Sequence, residues 1–187
     1  MSDHHHHDAG EAHRHSHDET DSRRGIDSVD HLAEHLSEFL SSRSIVLGVG
    51  NELCGDDGAG PMIANRIAES GPWQVLDVQS VPESFLMKIV EARPDTVLII
   101  DALDFDAEPG AVELLTADAV TGQGPSTHGP APIAFLDLLA MMHPCRRVIL
   151  GIQPANGEFG ETMTDAVARG VDFVVEGFVQ AGQAASA

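Results

Sequence analysis

The sequence predicts an α/β domain built as a three-layer sandwich, a mainly parallel central sheet with helices on both faces. Three observations carry this. Short β-branched runs alternate with segments of helical periodicity along most of the chain. The run TVLII at residues 96–100 is apolar at every position, as in a strand covered on both faces. The length of 187 residues suits one domain of ordinary size, with room for a tail.

Taken in order, residues 1–25 hold almost no apolar side chain. Such a segment cannot bury enough surface to offset its ordering entropy, so it is expected to be a disordered tail. A helix over residues 28–42 follows, forming an extension at 26–43. Val29, Leu32, Leu36, Phe39 and Leu40 recur at helical spacing, and Asp27 or Ser28 can cap it. The main domain is expected over 44–180. It opens with a strand at 44–49, a Gly-rich loop, and a helix through about residue 70. Ile63 and Ile67 lie on the buried face of that helix, and Pro61 falls in its first turn. A strand at 75–78, a helix at 84–92 ending before Pro94, and a strand at 96–100 come next. After the Pro109-Gly110 turn come a short strand at 111–115, a loop at 122–132, a helix at 133–142 and a strand at 147–152. Thr164 caps a last helix carrying Val167, Val171, Val175 and Phe178 on one face. Residues 181–187 are expected to fray.

Thirty acidic against ten basic residues leave a formal charge of −20. Affinity for phosphate backbones and anionic lipid headgroups comes mainly from Lys and Arg, so nucleic-acid and membrane-surface functions are disfavoured. Partners drawn by charge are basic protein surfaces or metal ions. No apolar run reaches the length of a spanning helix, and the N-terminus lacks the apolar stretch of a secretory signal, so no membrane insertion is expected. Two cysteines, Cys54 and Cys145, make no disulfide framework, which fits a soluble protein of a reducing cytoplasm. With no Tyr and one Trp, aromatic cages and base-stacking platforms are unsupported.

Seven of the eleven histidines, His4 to His7 with His13, His15 and His17, sit in the acidic tail. Imidazoles at that density chelate Ni²⁺, Cu²⁺ or Zn²⁺. Four consecutive histidines followed by a looser His/Asp/Glu run fit a purification tag badly, so extra metal ions at a natural tail are the preferred reading.

The loop GVGNELCGDDGAG at 48–60 raises the question of a phosphate cradle. Gly48 and Gly50 fit a dinucleotide fingerprint, but Leu53 stands at the third glycine and no P-loop lysine follows. Asp56 and Asp57 stand at the helix start, where they would repel a pyrophosphate. The loop therefore suits a cation, and no nucleotide cofactor is expected. The plainer alternative is helix capping, which one aspartate satisfies while its neighbour points outward.

Asp101 ends the run TVLIID. In an open parallel sheet, ligands bind outside the carboxyl ends of the strands, so Asp57 and Asp101 converge if their strands are neighbours. Asp104 and Asp106 read as turn and surface residues. His128, in the loop STHGPAP, is the third candidate. Two carboxylates and an imidazole suit a divalent transition metal, with open positions for water or substrate. His31, His35 and His143 lie on or beside helices and receive no role. Neither cysteine has a basic partner in sequence.

With these residues in view, the chain resembles the NiFe-hydrogenase maturation endopeptidases, and among them the branch serving formate-hydrogenlyase-type hydrogenases. The likeness runs from about residue 44 to 178. Its carriers are VLGVGNELCGDDGAGP, VLIIDALDF, THGPAPIAFL, VILGIQP and MTDAV. The resemblance implies a twisted central sheet sandwiched by helices. It also implies removal of a C-terminal extension from a hydrogenase large-subunit precursor after nickel insertion. It places metal-contacting roles on Asp57, Asp101 and His128, the metal being the nickel carried by the substrate. Where many relatives have Asp-Gly-Gly, this chain has Asp77-Val78-Gln79. Whether the metal activates water or an aspartate, Asp56 or Asp57, acts as general base stays open. A rival reading is a non-enzymatic nickel chaperone or store.

Overall fold

In the computed structural model, residues 23–116 and 131–185 are described. The His-rich segment to residue 22 and the loop carrying His128 lie outside these residues. The elements are β1 (Arg23–Gly25), α1 (Val29–Phe39), β2 (Ser44–Val49), a 3₁₀ turn (Gly55–Gly58) leading into α2 (Ala59–Ile67), and β3 (Gln74–Gln79). A second 3₁₀ turn (Pro82–Phe85) leads into α3 (Leu86–Ala92). Then come β4 (Thr96–Ala102), β5 (Val112–Thr116), α4 (Ala131–Met142), β6 (Arg146–Ile152) and α5 (Asp165–Ala185).

The six strands form one sheet in the order β1-β5-β6-β4-β2-β3. β2 pairs in parallel with β3 and β4, and β4 with β6. β5 is antiparallel to β6, and β1 antiparallel to β5. The mainly parallel α/β sandwich expected from the sequence is the observed architecture.

Strand alternation divides the core. Val46, Leu98, Ile100, Val148 and Leu150 face α1, α2 and α5, meeting Leu32, Leu36, Ile63, Ile67 and Phe178. Ile45, Leu47, Val97, Ile99 and Ile149 face the other way, onto Ile89, Phe135, Leu136 and Leu139 of α3 and α4. Burial on both faces is why these strands read as continuous apolar runs. Trp73 closes one end of the first layer, edge-on to Phe178 with ring centroids 5.8 Å apart.

Three sequence expectations are corrected. Residues 23–25 belong to the sheet, where Arg23, Arg24 and Gly25 register with Leu115, Leu114 and Glu113 of β5. Backbone pairing at a sheet edge needs no apolar side chain, so composition misses it. The helix expected as an extension at 26–43 is part of the core: Ser28 caps α1, accepting from His31 N–H at 3.2 Å, and Leu32 and Leu36 are fully buried. The end expected to fray from 181 stays helical to Ala185 with Ala181 and Gly182 buried. A Cβ at Gly182 would overlap the Ser70 carbonyl oxygen, so the missing side chain lets α5 dock there.

If α1 is a core element, Leu36→Ala should lower the unfolding free energy by ~3 kcal/mol in denaturant titrations. A loss under ~1 kcal/mol would return α1 to the status of an appendage.

Candidate active site

β2 and β4 are neighbours, with Gly48 in register with Ile100. The loop after β2 and the end of β4 therefore meet at the carboxyl edge of the sheet, where open α/β sheets bind ligands. Gly50, at φ +135°, turns the chain there, and a Cβ on it would overlap the Asp57 carbonyl oxygen. Asn51 N–H donates to Asp57 Oδ2 at 2.8 Å and closes the loop onto the 3₁₀ turn.

Successive residues of that turn point in different directions, and this separates the acidic pair. Asp56 points inward and is fully buried. Oδ2 accepts from Ala155 N–H at 2.8 Å, Asn156 N–H at 2.9 Å and the Thr164 hydroxyl at 3.1 Å. Oδ1 accepts from Thr164 N–H at 2.7 Å. Burial pushes the Asp56 carboxyl up, but the donors of Thr164, Asn156 and Ala155 outweigh it and hold the group below the usual carboxylate range. The catalytic role entertained for Asp56 in the sequence is replaced by a structural one, because its oxygens are committed to these four donors.

Asp57 reaches the cleft. It lines a cavity of about 270 Å³ with Asp104, Gln153, Asn156 and the backbone that joins β6 to α5. Asp101, in register with Gly151 of β6, is only 7% exposed. Burial, and next the charge of Asp57, raise its carboxyl to about 7, opposed by a hydrogen bond from the Ala102 backbone. The charge of Asp57 is thus close enough to oppose the ionisation of Asp101.

His128 lies outside the described residues, and among those described no group of three His, Cys, Asp or Glu side chains converges on one position. Cys54 and Cys145 are free, and burial pushes the Cys145 thiol up, away from the reactive thiolate form. Gln79 takes a left-handed backbone (φ +50°), and its side-chain amide donates to Asp77 Oδ2 at 2.7 Å. The turn that relatives were expected to build with glycine is therefore kept by a side-chain clamp, and Gln79 O accepts from Gly50 N–H at 3.1 Å.

The sequence reading took Asp104 for a turn residue and did not single out Gln153 or Asn156, yet all three line the cavity with Asp57. Gln153 Oε1 accepts from the backbones of Phe105 and Ala107, and its Nε2 donates to Asp104 Oδ1 at 3.1 Å. It ties the segment after β4 to the end of β6. The strand-end rule that singled out Asp101 applies equally to Gln153, directly after VILGI.

The family model described as hydrogenase maturation protease matches residues 61–181, a stretch that includes Asp101 and His128 and begins just after Asp57. The Hydrogenase 3 maturation protease of Escherichia coli (strain K12) is 34% identical over 134 residues, 71% of this chain and 86% of that protein. Among solved structures, the NiFe hydrogenase maturation protease HycI from Thermococcus kodakarensis KOD1 aligns with a TM-score of 0.71 at 25% identity, over 80% of this chain and 99% of that one. The endopeptidase HycI from Escherichia coli aligns with a TM-score of 0.63 at 34% identity, over 71% and 86%.

Two outcomes follow for the aspartates. Asp56→Ala leaves buried donors unpaired and should cost ~3 kcal/mol of stability, whereas Asp57→Asn should cost under ~1 kcal/mol. Equal, small losses would contradict the split. For Asp101, the folded carboxyl titrates near 7 against 3.8 for the ordinary group. The folded state then holds more protons between these values, so stability falls as pH rises through the window and the cost is complete above it. Asp101→Asn should match the parent at pH 4 and exceed its stability at pH 8, by at most ~4 kcal/mol. A parent that is equally or more stable at pH 8 would contradict the raised value.

Proposed function

This chain belongs to the hydrogenase maturation protease family, and from that premise we propose that its cleft recognises the nickel held by a hydrogenase large-subunit precursor and removes the precursor's C-terminal extension. The endopeptidase activity follows from family membership. The observation that supports nickel recognition is the pairing of Asp57 with Asp101. They come from the ends of adjacent strands, and one is buried enough to resist its own charge.

In this reading Asp57, Asp101 and His128 complete the coordination of the substrate-held nickel. The raised carboxyl of Asp101 gains by ionising toward the cation, so that binding energy appears only when the precursor is loaded. Cleavage becomes conditional on loading because the metal positions the scissile bond against the cleft. Asp104 and Gln153 shape the wall along which the extension lies. Asp57, the member of the acidic pair with access to the cleft, is the better placed to accept a proton from an attacking water. The reading puts the reaction in the cytoplasm. In support, no helix among the described residues is long and apolar enough to cross a membrane.

One observation favours a second reading. Two neighbouring carboxylates, one titrating near neutrality, are also the arrangement of an acid/base pair sharing a proton. Incubation with nickel-loaded and nickel-free precursor, read by mass of the C-terminus, separates the two. Under nickel recognition only the loaded precursor is cut, and Asp57→Asn, Asp101→Asn and His128→Ala each slow cleavage by roughly 100-fold or more. Equal cleavage of both precursors would favour the proton-sharing pair. Full activity in all three variants would remove the site.

A further inference from the structure

Away from the cleft, α1 carries the run His31-Leu32-Ala33-Glu34-His35, in which Leu32 and Ala33 are buried and the two histidines are partly exposed. Histidines four apart lie one above the other on a helix, the spacing by which helices present two imidazoles to one cation. The side chains are arranged accordingly. The two Nε2 atoms are 2.9 Å apart, with ring centroids at 4.6 Å and planes tilted by 44°. His31 Nδ1 lies 3.0 Å from Asp27 Oδ1, and His35 Nδ1 lies 3.8 Å from Glu38 Oε2. The outer nitrogen of His31 hydrogen-bonds a carboxylate and that of His35 lies near one, an arrangement that leaves the two Nε2 atoms directed at one position. Carboxylate–histidine pairs of this kind orient imidazoles in metal sites and raise their basicity.

In the metal-free pair one Nε2–H donates to the other at 2.9 Å, and a cation would take the place of that proton. A cation 2.0–2.1 Å from each nitrogen, with a right angle between the two bonds, would hold the nitrogens about 2.9 Å apart. We propose that His31 and His35 form a two-imidazole site for a divalent transition-metal cation, Zn²⁺ or Ni²⁺, with water filling the remaining positions. Asp27 and Glu38 serve as its outer carboxylates. The His31 side chain is 39% exposed and leaves an entry path, while His35 at 14% is anchored against Phe39, their rings stacked at 6.3 Å. Asp27, Asp30, Glu34 and Glu38 add a local negative field. The site is distinct from the cleft. Glu38 O accepts from Arg146 at the first residue of β6, which puts that end of α1 at the amino-terminal edge of the sheet. With two protein ligands it is proposed as a binding site and not as a second hydrolytic centre.

The test uses the full chain with the tail histidines, His4 to His7, His13, His15 and His17, changed to Asn. Zn²⁺ is titrated in while imidazole signals are followed by NMR. The expected result is that the His31 and His35 signals move together and saturate, separately from any change at His128. His35→Gln should weaken binding at that position by roughly 100-fold, and Asp27→Asn, which leaves both ligands in place, by about tenfold. Circular dichroism confirms that each variant stays folded. The proposal is overturned if the His31 and His35 signals do not move. Unchanged Zn²⁺ affinity in a folded His35→Gln variant would also overturn it.

Discussion

The site depends on one buried carboxylate. Asp56 gives up its hydration entirely, and the structure repays it with three backbone N–H groups and a hydroxyl. Those donors come from about a hundred residues further on, in the segment that enters α5. The same carboxylate thus ties the Gly-rich loop after β2 to the loop after β6. Asp56 N–H adds a bond to Asn156 O at 3.2 Å. Because Asp56 is pinned inward, the turn carries Asp57 to the cleft, where Asn51 N–H also holds its Oδ2.

The sheet then sets what Asp57 meets. Adjacent parallel strands put their carboxyl ends side by side, so the residue after the apolar part of β4 arrives next to the loop after β2. Asp101 is carried to that place by strands whose side chains are buried on both faces. Its desolvation is supported by the surrounding core, and the resulting resistance to ionisation is the feature on which the proposed cation recognition rests. A protease that must wait for metal loading gains from such a device. Under the proposed function, the charge that relieves Asp101 arrives with the substrate.

Much of this was readable in the sequence for identifiable reasons. Double-sided burial writes strands such as TVLII as unbroken apolar runs, and 3.6-residue spacing marks Leu32, Leu36, Val167 and Val171. Convergence of Asp57 and Asp101 requires adjacent strands, and the sheet order places β2 beside β4. What stayed hidden depends on contacts distant in sequence. The inward turn of Asp56 cannot be told from the outward turn of Asp57 without knowing that Thr164 lies opposite. Gln153 looks like an ordinary polar residue after a strand until the segment around Asp104 folds against it. β1 is held by backbone bonds, which composition does not record. Residues 181–185 look featureless because small residues are what a close helix approach requires.

The account stands on a single cation position shared by Asp57 and Asp101. Anomalous diffraction from crystals of the protein soaked with Cd²⁺ addresses it without the precursor. The expected result is one ion bound by both carboxylates, with His128 as a third ligand. Ions bound elsewhere on the surface, with Asp57 and Asp101 contacting none of them, would contradict the account.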